Sequence, residues 1–138
     1  MSYLIDTNII AEVRKGKRCD PHVAKWWGQT SDDDLFLSVL VTGEIRKGIE
    51  LARLRAPTKA ARLEQWLDAL IAGFSGRILP VDQAVADQWG CLNSPNPRPT
   101  VDSLLAATAQ VYRLTLVTRN VADMPKIGIS ILDPFTFE

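Results

Sequence analysis

Four acidic residues stand where a carboxylate can do chemistry. Asp6 ends the apolar run Tyr3-Leu4-Ile5, Glu44 lies within an amphipathic helix, Asp102 opens another helix, and Asp123 follows the apolar run Leu114-Thr115-Leu116-Val117. Carboxylates gathered in one crevice repel, and each raises the pKa of the others unless a divalent cation holds them ionised. Oxygen-only ligation selects a hard Lewis-acidic ion, Mg²⁺ or Mn²⁺. Zinc is not expected, because the chain has one histidine, His22, and its two cysteines, Cys19 and Cys91, share no metal-ligand spacing.

Each acid also has a simpler account when taken alone. Asp6, Thr7 or Asn8 can cap the helix that follows. Asp82 reads as a cap in the same way, and Asp102, two residues after the natural N-cap Thr100, needs only the helix dipole. Asp32-Asp33-Asp34 forms an acidic turn whose side chains point apart into solvent, so these are not ligands. Glu44 fits such readings worst. At about 100° per residue along a helix over 39–56, Leu40, Leu51, Gly48, Val41, Ala52, Ile45 and Ile49 form one arc, with Arg46, Glu50 and Arg53 opposite. Glu44 falls inside the apolar arc, where a carboxylate is costly unless a cation, a buried arginine or a backbone donor meets it.

The elements that must position these groups are short apolar strands alternating with helices. Strands are expected at 3–5, 35–38, 77–81, 114–118 and 128–132. Helices are expected at 8–14 capped by Asn8, 21–29 carrying Trp26 and Trp27, 39–56, 58–73, 82–92 and from Thr100 through Ala109. The helix over 58–73 carries an apolar stripe of Ala61, Leu63, Trp66, Leu67, Leu70 and Ile71. This alternation predicts a three-layer α/β/α domain, residues 1–138, around a five-stranded, mainly parallel sheet. The first strand has no polar face and should be buried on both sides. If the first and fourth strands flank the topological switch point, Asp6 and Asp123 share one crevice and the helix of Asp102 starts beside it. The loop 93–99, with three prolines and Arg98, would form one lip.

Composition sets the remaining bounds. Sixteen basic and sixteen acidic residues leave no net charge, so a polyanion must be held by local groups rather than by a global field. The cluster Arg14-Lys15-Gly16-Lys17-Arg18 reads as a solvated helix end. The cysteines read as inert buried thiols of a reducing compartment. No run approaches the ~20 apolar residues of a membrane span, and the N-terminus lacks a basic leader with a long apolar run, so a cytoplasmic location without membrane contact is expected.

Taken together, Asp6-Thr7-Asn8 after the N-terminal strand, Glu44 in the third helix, Asp102 leading into Leu104-Leu105-Ala106-Ala107-Thr108-Ala109, and Thr118-Arg119-Asn120 with Asp123 resemble the PIN-domain family. More narrowly, the chain is similar to the VapC and FitB-type toxins of bacterial toxin-antitoxin pairs, from its first strand to its last. The resemblance implies a Mg²⁺-dependent endoribonuclease, with Mn²⁺ as an alternative ion. Asp6, Glu44, Asp102 and Asp123 would then form the acidic cluster, with Thr7, Asn8, Thr118 and Asn120 in support. Arg119 would contact a phosphate or pair with Glu44 or Asp123. The resemblance further implies RNA as substrate, a cognate antitoxin docked near the site, and a homodimer. Two other readings stay open: a PIN-like module that binds RNA or protein without turnover, and a Mg²⁺-dependent phosphatase. Against the latter, Asn8 stands where a haloacid-dehalogenase-type phosphatase has an Asp.

Overall fold

A computed structural model describes residues 1–124 and 128–138. The strands β1 (Tyr3–Ile5), β2 (Leu35–Ser38), β3 (Ile78–Leu79), β4 (Thr115–Val117) and β5 (Ile131–Leu132) form one sheet in the order β3-β2-β1-β4-β5, and every pairing is parallel. The chain builds outward from β1 to β3 and then returns to place β4 on the other side of β1. That reversal makes β1 and β4 the switch point. Right-handed crossovers in two opposite directions require helices on opposite faces of the sheet. Accordingly α1 (Thr7–Val13) contacts both α2 (Pro21–Gln29) and α3 (Val39–Arg53), α3 packs on α4 (Pro57–Gly73), and α5 (Gln83–Leu92) packs on α6 (Thr100–Tyr112). The expected three-layer parallel architecture is therefore present.

The core follows from residue types. Leu4 and Ile5 of the central strand are fully buried, as a strand covered on both faces must be. Trp26 is 2% exposed and meets Tyr3 edge to face, with ring centroids 5.1 Å apart, which makes it a packing anchor rather than a base platform. On the other face, Ala106, Ala107 and Ala109 of α6 are buried, and their small side chains let the helix lie close to β4. A smaller cluster of Ile49, Ala60 and Leu67 joins α3 to α4, whose outer edges are tied by Arg46 and Arg53 to Glu50 and Glu64. In α4 the buried positions are thus Ala60 and Leu67, while the expected Ala61 and Ile71 are exposed.

Several boundaries differ from expectation for local reasons. Asp6, not Asn8, caps α1, its carboxylate accepting from the Thr7 amide. Pro99, not Thr100, occupies the N-cap of α6; Thr100 is its first residue, and Asp102 stays in the first turn. The third helix stops at Arg53, three residues short, and α4 starts at Pro57, where proline is accommodated because the first helical N–H needs no partner. The strands at 77–81 and 128–132 pair over two residues each, as edges of the sheet. Cys91 is exposed rather than buried, and both thiols are free.

Arg77 carries a structural load that periodicity does not reveal. Its guanidinium donates to the carbonyls of Asp32 (2.7 Å), Leu35 (2.9 Å) and Gly73 (2.8 Å) and stacks on Phe74. It thereby ties the end of α4 to the entry of β2. Arg77→Met keeps the stem but strands those carbonyls, and should cost about 2 kcal/mol, read as a lower denaturant midpoint with unchanged slope.

Candidate active site at the β1/β4 switch point

The site begins with the backbone. The Asp6 amide donates to the Val117 carbonyl (2.9 Å), so the β1/β4 ladder continues to the residue where the helix starts. The Asp6 side chain therefore emerges at the carboxyl edge of the sheet, 4% exposed. Its Oδ1 accepts from the Thr7 amide (2.7 Å) and its Oδ2 from the Thr118 hydroxyl (2.8 Å), with the Asn8 amide at a longer 3.4 Å. Thr118 is fully buried and acts as a hub. Its hydroxyl gives its one proton to Asp6 and accepts from the Asn120 amide (3.0 Å) and, more weakly, from Asn8 Nδ2 (3.4 Å). Asn8 in turn accepts from the Arg119 amide at 3.3 Å. Thr7, Asn8, Thr118 and Asn120 thus lock the ends of two adjacent strands around one carboxylate.

The other acids arrive from separate elements. Ser38 caps α3 by accepting from the Leu40 amide (3.0 Å), which sets the start of the helix that carries Glu44. Glu44 Oε1 accepts from the Thr7 hydroxyl at 2.6 Å. Contrary to the arc expectation, Glu44 is exposed and does not point into the core. The half of the arc holding Val41, Ile45 and Ile49 faces inward, whereas Glu44, Gly48 and Leu51 face out. Asp102 is half-buried in the first turn of α6, and Asp123 ends an exposed 3-10 turn, Val121–Asp123, beyond β4.

Electrostatics show which acids meet. Burial raises the Asp6 pKa above its ordinary value; the Thr118 and Thr7 hydrogen bonds oppose that, and the charges of Asp102 and Glu44 add to it. The Asp102 pKa is likewise raised, first by burial and then by Asp123 and Glu44. Asp102 and Glu44 therefore link Asp6 to Asp123 in one field of negative charge. Asp82 is outside this field: it caps α5 through the Val85 amide and accepts from the Tyr112 hydroxyl, as a cap should. Asp32 and Asp33 are exposed and Asp34 half-buried in a 3-10 turn, away from the cluster.

Cation binding can be tested against this donor set. Among the described residues no three or more His, Cys, Asp or Glu side chains form a ready cage for an ion. Mg²⁺ does not need one, since it commonly keeps several waters and takes one or two carboxylates together with substrate phosphates. The donors are hard oxygens, and none of these acids has an ion pair among the described residues, so the chemistry of the residues fits Mg²⁺ or Mn²⁺, with Asp6, Glu44, Asp102 and Asp123 as the groups that would hold it.

The cations nearby are arranged differently from expectation. Arg119 pairs with neither Glu44 nor Asp123. The ion pairs among the described residues belong to Lys15, Arg46 and Arg53. Arg119 instead lies over the Phe135 ring, 4.3 Å from its centroid. Phe135 was not flagged by the sequence, where an aromatic after Asp133-Pro134 gave the only hint. In the basic cluster, Arg14 stacks on Trp66 and Lys15 pairs with Glu12, so half of it is engaged in structure. In the 93–99 loop, Asn93 Oδ1 accepts from the Arg98 amide, and Arg98 Nε donates to Leu92.

Thr118→Val tests the hub. It keeps the shape but leaves Asp6 Oδ2 without its strongest donor, so the fold should lose about 1–3 kcal/mol. Thr118→Ser should retain most of that stability in thermal melts.

Known proteins resemble the chain in sequence and in overall fold over nearly its whole length. The chain is 28% identical to Toxin FitB of Neisseria gonorrhoeae over 137 residues, spanning 96% of this chain and 97% of the relative. It is 26% identical to the VapC ribonuclease Y4jK of Sinorhizobium fredii over 138 residues, 96% of each. A solved structure of FitAB bound to the IR36 DNA fragment superposes with a TM-score of 0.88 at 27% identity, covering 99% of this chain and 97% of that one. The PIN domain model matches residues 3–128, and with its sheet order and acidic switch point this chain belongs to the PIN domain family.

Proposed function

We propose that this chain is a metal-dependent endoribonuclease and the toxin of a type II toxin-antitoxin pair. The observation that carries the proposal is the convergence of Asp6, Glu44, Asp102 and Asp123 into one electrostatic field at the switch point, with Asp6 buried and held by Thr7 and Thr118. Membership of the PIN domain family and relatives named as a toxin and a ribonuclease support it. Four acids without an ion pair among the described residues would only weaken a module that bound RNA or protein without turnover, which disfavours that reading.

Bound Mg²⁺ or Mn²⁺ would supply Lewis acidity toward phosphate oxygens and lower the pKa of water. Around it the chain's own groups orient the acids. Thr118 and the Thr7 amide fix both oxygens of Asp6, and the Thr7 hydroxyl fixes Glu44. In hydrolysis a water oxygen bonds to phosphorus as the bond from phosphorus to the leaving ribose oxygen breaks. No nucleophilic side chain is required.

The cognate antitoxin and a second copy of the chain are proposed partners. A ribonuclease of this kind would damage its own cell unless it were held inactive, and the exposed Leu51, Leu54 and Ile71 of the α3–α4 pair offer apolar surface for a partner to cover. Among the described residues no helix is long and apolar enough to cross a membrane.

The deciding experiment incubates the purified chain with single-stranded RNA in Mg²⁺, Mn²⁺ or EDTA. Cleavage with either ion and none in EDTA is expected. Cleavage that persists in EDTA and survives Asp6→Asn would sink the proposal, and turnover of an aryl phosphate without RNA cleavage would favour a phosphatase.

A further inference from the structure

We infer that Arg119 binds a backbone phosphate flanking the acidic cluster, and that Phe135, anchored by the C-terminal segment, is the positioning residue that keeps it free to do so; this rests on the RNA-cleaving reading above. The first observation is an omission. Arg119 follows the hub Thr118, whose hydroxyl donates to Asp6; its backbone amide bonds to Asn8, and it is exposed at the end of the strand that leads to the site. A guanidinium so placed would ordinarily take a carboxylate in a forked pair. Among the described residues it takes none, and its side chain has no hydrogen bond; its contact is the face of Phe135. Stacking occupies the plane of the guanidinium and leaves its N–H edge available, which suits a phosphate.

The second observation is how firmly Phe135 is held. Asp133 accepts from the Phe135 amide at 3.0 Å and from the Thr136 hydroxyl at 2.9 Å through its backbone carbonyl, and Pro134 is buried. Further along, His22 Nδ1–H donates to the Phe137 carbonyl (2.7 Å), Lys25 donates to the Glu138 carbonyl (2.8 Å), and Lys25 also lies over the Phe137 ring. The segment after β5 is thus pinned to α2, which sets the backbone that carries the Phe135 ring. The chain has no net charge and the site is strongly acidic, so a polyanion approaching it must be held by a local cation that the acids have not neutralised. Among the described residues Arg119, next to the hub Thr118 and without an ion pair, is such a cation.

The test measures binding of a single-stranded RNA oligonucleotide to the full chain carrying Asp6→Asn, which blocks turnover, across a KCl series, with thermal melts to verify folding. Arg119→Gln should weaken binding roughly tenfold and reduce the slope of log affinity against log salt by about 0.7, the value for one phosphate contact on a single strand. Phe135→Leu should weaken binding in the same direction, Phe135→Tyr should restore it, and Phe135→Leu added to Arg119→Gln should cause little further loss. An unchanged salt slope in Arg119→Gln, or losses that simply add, overturns the inference while leaving the nuclease reading standing. If the parent chain neither binds nor cleaves RNA, both fall together.

Discussion

Asp6→Asn should reduce metal-dependent RNA cleavage by roughly three orders of magnitude or more, since loss even of a group outside the metal's direct ligands typically costs about 10–100-fold. The same substitution should stabilise the metal-free protein. Burial and the charges of Asp102 and Glu44 raise the Asp6 pKa, so the ionised carboxylate is a strain on the fold at neutral pH. The ordinary value is 3.8 and the folded value is higher. Between the two, the folded state holds more protons than the unfolded one, and the contribution of Asp6 to stability falls as pH rises through that window. Above the folded value the full penalty applies. Asparagine keeps an oxygen for the Thr7 amide and removes the charge. In EDTA at neutral pH the variant should melt a few degrees higher, about what ~1 kcal/mol gives a domain of this size. The difference should shrink toward zero as pH falls to about the ordinary Asp value. A loss of activity accompanied by a lower melting temperature would mean that Asp6 serves the fold as a cap and no more.

Mg²⁺ or Mn²⁺ should raise the melting temperature of the native chain by mass action. At a hundredfold excess over the dissociation constant the gain is about 2.7 kcal/mol, or roughly 10 °C here. Part of that gain is the same repulsion that Asp6→Asn relieves, now cancelled by the cation. The two effects should therefore not be additive: the variant should start higher and respond little. Asp102→Asn should blunt the response as well, because Asp102 is one of the charges that raise the Asp6 pKa and is itself raised by Asp123 and Glu44. Titration at constant ionic strength separates binding from screening. A flat response over the millimolar range would leave the four acids as caps and surface charges.

These two measurements interrogate different properties of one arrangement. Cleavage asks whether the site does chemistry, and the melt asks whether it binds a cation. A chain that gains stability from Mg²⁺ but leaves RNA intact would be a metal-binding PIN scaffold, and its activity would have to be sought on another substrate.

The sequence alone determined what depends on local periodicity. Short apolar runs separated by helices gave a parallel α/β sheet, because a strand without a polar face must be covered on both sides and long connections must be crossovers. Asp6 and Thr118 were readable as edge residues because polar side chains begin where the apolar runs stop. The helix over 21–29 and the strand over 35–38 lie where expected, since Pro21 and Ser38 mark their limits.

The tertiary structure decided what depends on partners distant in sequence. Glu44 illustrates the difference. A helical wheel places it within an apolar arc, but only the packing of α3 on α1 and α4 shows which half of the arc is core, and Glu44 lies on the other half, within reach of Thr7. Capping turned on one hydrogen bond, so Asn8 and Asp6 could not be distinguished by type. Arg119 could have paired with acids on several elements; a ring near the end of the chain claims it, because the C-terminal segment folds back onto α2. Periodicity records which face of an element is apolar, whereas contacts across 112 or 115 residues are set by how the elements pack.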